Sequence, residues 1–163
     1  MILQYFKKKE NQFKIFADRE YVKILELVKL INNHSFRNNL NFNSTFEIMT
    51  ILIIFHLKIY KDSKNKKFSL ISSFLIENFI NDLDQSLRKS GIGDMSIGKY
   101  VKRYVKKFYF RLKLLDNYLK KGSLEEINNY LTHMSNLQPI NLELFAKYLF
   151  EIFIDIKNQG IKI

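Results

Sequence analysis

The chain has no cysteine, no tryptophan, one proline and five glycines in 163 residues. Without cysteine it has no disulfide, no thiolate metal ligand and no cysteine nucleophile. So little proline and glycine leaves too few turns for a fold of many short strands, which favours helices. Acid is scarce as well: 16 Asp and Glu face 27 Lys and Arg, for a net charge of +11 and a pI near 9.7. That surplus predicts an acidic partner, whether nucleic acid, ribosome, anionic membrane surface or acidic protein. Heavy use of Lys, Asn, Ile and Phe throughout reads as a genome-wide AT bias, which dilutes the argument from charge. Long apolar runs are missing too. The most apolar stretch, Ile48–Phe55, is bounded by Glu47 and His56 and falls short of the ~20 residues a spanning helix needs. Met1–Lys9 places its lysines after a short apolar stretch, the reverse of a secretory signal. A soluble, cytoplasmic protein is the expectation.

What the chain does have is apolar side chains in helical rhythm. Hydrophobic residues make up 47% and aromatic residues 15%, enough for a sizeable core in one domain spanning 1–163. Tyr21, Ile24, Leu25, Val28 and Ile31 mark one helix face, with Asp18 as its N-cap and Asn32–His34 as its end. A polar loop to Asn43 precedes a second helix, capped by Ser44 or Thr45 with Glu47 as a capping-box partner, running to about Tyr60. It is apolar nearly all round and belongs in the core. After a solvated linker at 61–67, Leu75, Ile76, Phe79, Ile80, Leu83 and Leu87 stripe a third helix, ending at Gly91 in a left-handed cap. A fourth helix runs from a Ser96 cap to about Lys120, and Ser123–Glu126 opens a fifth. Gln138-Pro139 breaks the chain before a sixth, from Asn141 to about Lys157, with Leu144, Phe145, Tyr148, Leu149, Ile152 and Phe153 as its stripe. The predicted fold class is all-α, one compact domain of about six helices.

Gly93-Asp-Met-Ser-Ile-Gly98-Lys99-Tyr100 matches the phosphate-loop spacing G-x-x-x-x-G-K, but Tyr100 stands where a Mg²⁺-binding Ser or Thr belongs. A phosphate loop also follows a buried strand, and here an amphipathic helix comes before it. The segment reads as a connection between helices. His34, His56 and His133 are scattered without metal-ligand spacing, so no metal and no cofactor is expected. Asp82 and Asp84, two residues apart, diverge on a helix and cannot form an acid–base pair. There is no nucleophile motif and no DNA-recognition motif, hence no catalytic residue and no specific DNA binding.

The fourth helix is strongly basic. At 100° per residue, Val101, Tyr104, Val105, Phe108, Leu112, Leu115 and Leu119 share one arc. Lys99, Lys102, Arg103, Lys106 and Lys113 lie opposite, with Lys107 and Arg111 at the flank. Two readings of this face stand side by side. It is the solvated side of a surface helix, or it is a contact surface. The second is favoured by the lack of compensating acid and by Phe110, an aromatic ring set among cations.

Asp82, Asp84, Leu87, Arg88, Gly91, Gly93, Asp94, Ser96, Lys99, Phe108, Tyr109, Arg111 and Asp116 together form an Asp-x-Asp-x-x-Leu-Arg helix, a Gly-x-Gly-Asp turn, a Ser-x-x-Lys helix start and a Phe-Tyr-x-Arg segment with a downstream Asp. With Thr45-Phe-Glu47 and Ile54-Phe-His-Leu57 upstream, this pattern resembles the ubiquinol–cytochrome c chaperone family, assembly factors for the cytochrome bc1 complex (respiratory complex III). Gly98, Phe110 and Lys58 depart from residues the family often carries there. The resemblance implies an all-helical, non-enzymatic protein that binds newly made cytochrome b, with contact to the ribosome or an anionic membrane surface. With no Arg- and Ser-rich leader in view, a bacterial protein at the cytoplasmic face of the inner membrane is expected. On this reading Gly91, Gly93, Asp94, Lys99, Lys102, Arg103, Lys106, Tyr109, Phe110 and Arg111 are candidates for holding the client. Asp82, Asp84, Arg88 and Asp116, with Arg111 as the alternative for that residue, are candidates for an internal ion-pair network. A basic RNA- or ribosome-binding protein is the competing reading, and a nucleotide-dependent enzyme the third.

Overall fold

The computed structural model describes residues 2–34, 41–63, 67–134, 137, 139 and 141–159. Among these residues the helices are α1 (Ile2–Asn32), α2 (Phe42–Asp62), α3 (Lys67–Lys89), α4 (Asp94–Tyr118), α5 (Leu124–Thr132) and α6 (Leu142–Gln159). The loop expected at 35–40, the middle of the linker at 64–66, and Gln138 lie outside the described residues. The all-α class expected from the sequence is the class observed.

α2 is the axis of the fold. Every residue from Phe46 to Leu57 is buried, and α1, α3, α4 and α6 all pack against it. A helix apolar on every side is stable in water only when neighbours cover every side. By length and composition α2 could also cross a bilayer, but 78% of its apolar window is buried against the rest of the protein. α1 lies across α2 and α3, α4 across α2 and α3, and α5 joins α4 to α6.

The apolar stripes do the packing. Phe13, Ala17, Tyr21, Ile24, Val28 and Ile31 face inward from α1, Leu75, Phe79, Leu83 and Leu87 from α3, and Ile97, Tyr104, Phe108 and Leu115 from α4. Rings meet edge-on or tilted at the centre: Phe79 lies 5.0 Å from Phe108, and Phe55 lies 5.0 Å from Phe153. Such pairs contribute about 0.5–1.5 kcal/mol beyond the area they bury.

Several boundaries differ from the sequence reading. α1 starts at Ile2 rather than near Asp18. Asp18 is mid-helix, and its Oδ1 accepts a bond from Asn78 Nδ2 of α3 at 2.7 Å. α2 is capped by Asn41, not Ser44 or Thr45. Asn41 Oδ1 accepts from Ser44 N at 2.9 Å, and Ser44 Oγ accepts from Asn41 N at 3.2 Å. Glu47, expected in that cap, is fully buried and serves another role. α4 begins at Asp94 behind Gly93, two residues before the expected Ser96 cap. Leu144, expected in the α6 stripe, is 57% exposed, because Phe145, Leu149, Ile152 and Phe153 take the inward face. α5 does open on a capping box, with Glu126 N donating to Ser123 Oγ at 3.2 Å.

Candidate binding surface

The turn from α3 into α4 follows from its glycines. Gly91 has φ +91°, a conformation that strains any residue with a Cβ. Its amide donates to Arg88 O at 2.9 Å, and the Ile92 amide reaches Leu87 O at 3.3 Å, the two bonds of a Schellman ending. Ile92 then packs on the core cluster that holds Leu87. Gly93 is the N-cap of α4 and makes no side-chain cap bond. Asp94, in the first turn, places a negative charge at the positive end of the helix dipole.

This local geometry also disposes of a phosphate cradle. The amides of Ser96 and Ile97 both donate to Gly93 O, at 2.9 and 3.0 Å. Gly98 lies inside α4 and Lys99 points to solvent from it. No loop of free amides forms.

The charged residues of the central motif do not assemble into one network. Arg88 Nε donates to Asp84 Oδ2 at 2.6 Å, and its Nη1 bonds Asp94 across the turn. Both carboxylates raise the Arg88 pKa, the Asp84 hydrogen bond most and the Asp94 bond next. Asp82 instead accepts a bond from Tyr21 Oη of α1 at 3.1 Å. Burial, with Asp82 adding to it, pushes the Tyr21 hydroxyl pKa far up. Asp116 pairs with Lys61 of α2 at 2.8 Å. These contacts pin α3 to α4, α1 to α3, and α2 to α4 at separate points.

Arg111 is turned inward. Its Nε and Nη2 reach the two carboxylate oxygens of Glu47 at 3.1 and 3.0 Å, and Lys107 Nζ lies 2.6 Å from Glu47 Oε1. The Lys107 ammonium also sits 5.2 Å above the Phe46 ring. Sequence reasoning missed Glu47 as the anchor of α4. A signal existed: no cation stands three or four residues from Glu47 on an otherwise apolar helix. A buried carboxylate so placed must find its partner on another element.

Lys99, Lys102, Arg103, Lys106 and Lys113 are exposed. Among the described residues none has a carboxylate within ion-pair distance. Arg103 spreads over the rings of Tyr100 and Tyr104, 4.7 and 5.3 Å from their centroids. Tyr109 is 48% and Phe110 62% exposed, and Met95 is fully exposed at the start of the helix. The outer side of α4 is therefore a cationic face carrying uncovered aromatic area. Beside it, between α2, α3 and α4, lies a groove of about 470 Å³ that includes Tyr109 and Asp116.

The histidines are not part of this surface. His56 is buried, with Nδ1 2.8 Å from Leu52 O and Nε2 3.8 Å from Glu20 Oε2. His34 and His133 lie against the rings of Tyr148 and Tyr118.

Comparison with protein families matches the ubiquinol–cytochrome C chaperone family over residues 34–156. The chain belongs to that family. The matched span holds α2 to α5 and α6 as far as Ile156, and with them Glu47, His56 and all of α4. The fold of this chaperone is also that of a crystallised protein described as the Cbp3 homolog from Brucella abortus. The TM-score is 0.77 at 21% identity, covering 98% of this chain and 90% of that one. α1, which precedes the matched span, is thus included in the shared fold. No curated protein matches the sequence. As a member of this family the protein is a chaperone connected with assembly of the ubiquinol–cytochrome c (bc1) complex.

Proposed function

We propose that this chaperone acts without catalysis, binding newly made cytochrome b at the cytoplasmic face of the membrane and promoting its entry into the bc1 complex. The observation that carries this reading is the outer face of α4. Tyr109 and Phe110 are uncovered among five cations that, among the described residues, have no carboxylate within ion-pair distance. Uncovered aromatics suit an apolar client segment. The surrounding cations suit the anionic head groups, or ribosomal RNA, beside which such a segment emerges. The turn Gly91–Asp94 sets where this face begins. Gly91, Gly93, Asp94, Lys99, Lys102, Arg103, Lys106, Tyr109 and Phe110 form the proposed contact surface. Arg111 holds the helix that presents it.

The test is co-purification of cytochrome b with the tagged chaperone from its native cell. Reversing Lys102, Arg103 and Lys106 to Glu should abolish capture while the circular dichroism spectrum is unchanged. Undiminished capture by that variant overturns the assignment of this face. Binding to RNA that falls steeply with salt and shows no preference for the client assigns the surface to nucleic acid instead.

A further inference from the structure

The groove between α2, α3 and α4 is floored by Ile54, Leu57, Ile76, Leu112, Leu115 and Leu119, with Lys58, Lys61 and Lys113 at its rim and one acid, Asp116. At the end where Leu119 leads out of α4, a smaller hollow of about 160 Å³ adjoins it. Four lysines line this hollow (Lys58, Lys120, Lys121 and Lys157), together with the single carboxylate Asp62. Lys58 belongs to both spaces and is bonded to Asp62 at 3.1 Å. Asp62 is thus already neutralised, and among the described residues Lys120, Lys121 and Lys157 have no carboxylate within ion-pair distance. An apolar trough thus lies beside a cationic cup, with Lys58 in the wall of both.

We propose that these adjacent spaces bind one anionic phospholipid, an acyl chain in the groove and its phosphate among Lys120, Lys121 and Lys157. Each half matches the chemistry of one half of that ligand. The groove lies in the size range of small-molecule sites and has the expected mostly apolar wall with polar groups at one end. Each methylene buried there removes further apolar area from water. Each lysine near the phosphate adds an electrostatic attraction. Phosphatidylcholine, whose head group is zwitterionic, gains the first contribution and little of the second. The inference rests on the membrane-peripheral part of the proposed function and not on recognition of cytochrome b.

The experiment uses dioctanoyl phosphatidylglycerol, titrated below its micelle concentration into the full chain and followed by calorimetry. Dioctanoyl phosphatidylcholine and glycerol 3-phosphate serve as controls. Saturable binding of the anionic lipid is expected, weaker by roughly ten-fold or more for either control. Lys120→Glu with Lys121→Glu should weaken it by a similar factor. Ile76→Trp, which fills the groove, should weaken it without touching any charge. Ile76→Val, which leaves the groove open, should bind as the parent chain does and shows that a mutated wall alone does not impair binding. Equal binding of the phosphatidylcholine, or unchanged binding in Ile76→Trp, overturns the proposal. In that case flotation with vesicles of phosphatidylglycerol and phosphatidylcholine still reports, separately, whether the chaperone sits on a membrane at all.

Discussion

Arg111 of α4 grips both carboxylate oxygens of Glu47, 64 residues earlier in the chain and fully buried on α2. The fork joins the central helix to the basic helix, with Lys107 as a second cation on the same carboxylate. It sets the rotation of α4 about its own axis. Lys107 and Arg111 turn in, and Lys102, Lys106 and Phe110 turn out.

Breaking this fork from one side leaves charge stranded in the interior. Glu47→Gln should lower stability by about 3 kcal/mol in urea unfolding. Arg111→Met should cost less, because Lys107 still pairs with the Glu47 carboxylate. Glu47→Gln combined with Arg111→Met should cost clearly less than the sum of these two changes, because the fork they share is lost only once, and Lys107, which is partly exposed, is the one cation left without the carboxylate. Additive losses would show that the pair is not coupled.

Three glycines should respond to alanine in three ways. Gly122 has φ +69°, and a Cβ built there lies 2.7 Å from Phe153 Cε1. Gly122→Ala therefore carries both strain and a clash, and should cost about 2 kcal/mol or more. Gly91 has φ +91° but open space around it, so its change should cost about 1 kcal/mol. Gly98 lies within α4 with nothing near its Cβ position. Gly98→Ala should stabilise by about 0.5–1 kcal/mol. Chemical denaturation of the three variants reads the order directly.

His56 makes stability depend on pH. Its folded pKa is lowered from 6.5, chiefly by burial; the Leu52 carbonyl and Glu20 oppose the shift and Lys23 adds to it. The unfolded chain therefore binds the proton more readily. The stabilisation is present in full above pH 6.5 and is lost as pH falls below that value toward the folded pKa. Thermal midpoints should fall from pH 7 to pH 5, and the slope in that window should flatten in His56→Phe. An unchanged slope would assign the acid sensitivity to other groups.

Phe110 is the cleanest separation of fold from surface. It is 62% exposed, so Phe110→Ser should change stability by no more than about 0.5 kcal/mol. The same variant should capture less cytochrome b if the outer face of α4 holds the client. A stability loss well above that bound would mean that the ring is packed.

The helix-by-helix character of the fold was legible because its signals are local. The stripes of α3 and α4, the left-handed ending at Gly91 and the capping box at Ser123 all lie within a few residues of the groups they govern. The start of α1 was not legible in the same way. Asp18 carries the chemistry of a cap, but its carboxylate is used by Asn78, 60 residues away. Asn41 took the cap of α2 from its neighbours, and the freed Glu47 paired with α4.

The contact surface divides along the same line. The sequence by itself determined that α4 has an apolar arc and a cationic arc, because a helix of 3.6 residues per turn sorts its side chains whatever surrounds it. It also carried the family pattern. Only the tertiary structure decided which cations are free. Lys102 and Arg111 look alike along the chain, yet one faces water and the other is bound to a carboxylate from a different helix. Burial and pairing between distant elements arise when the helices pack, and the helical period of one segment does not encode them.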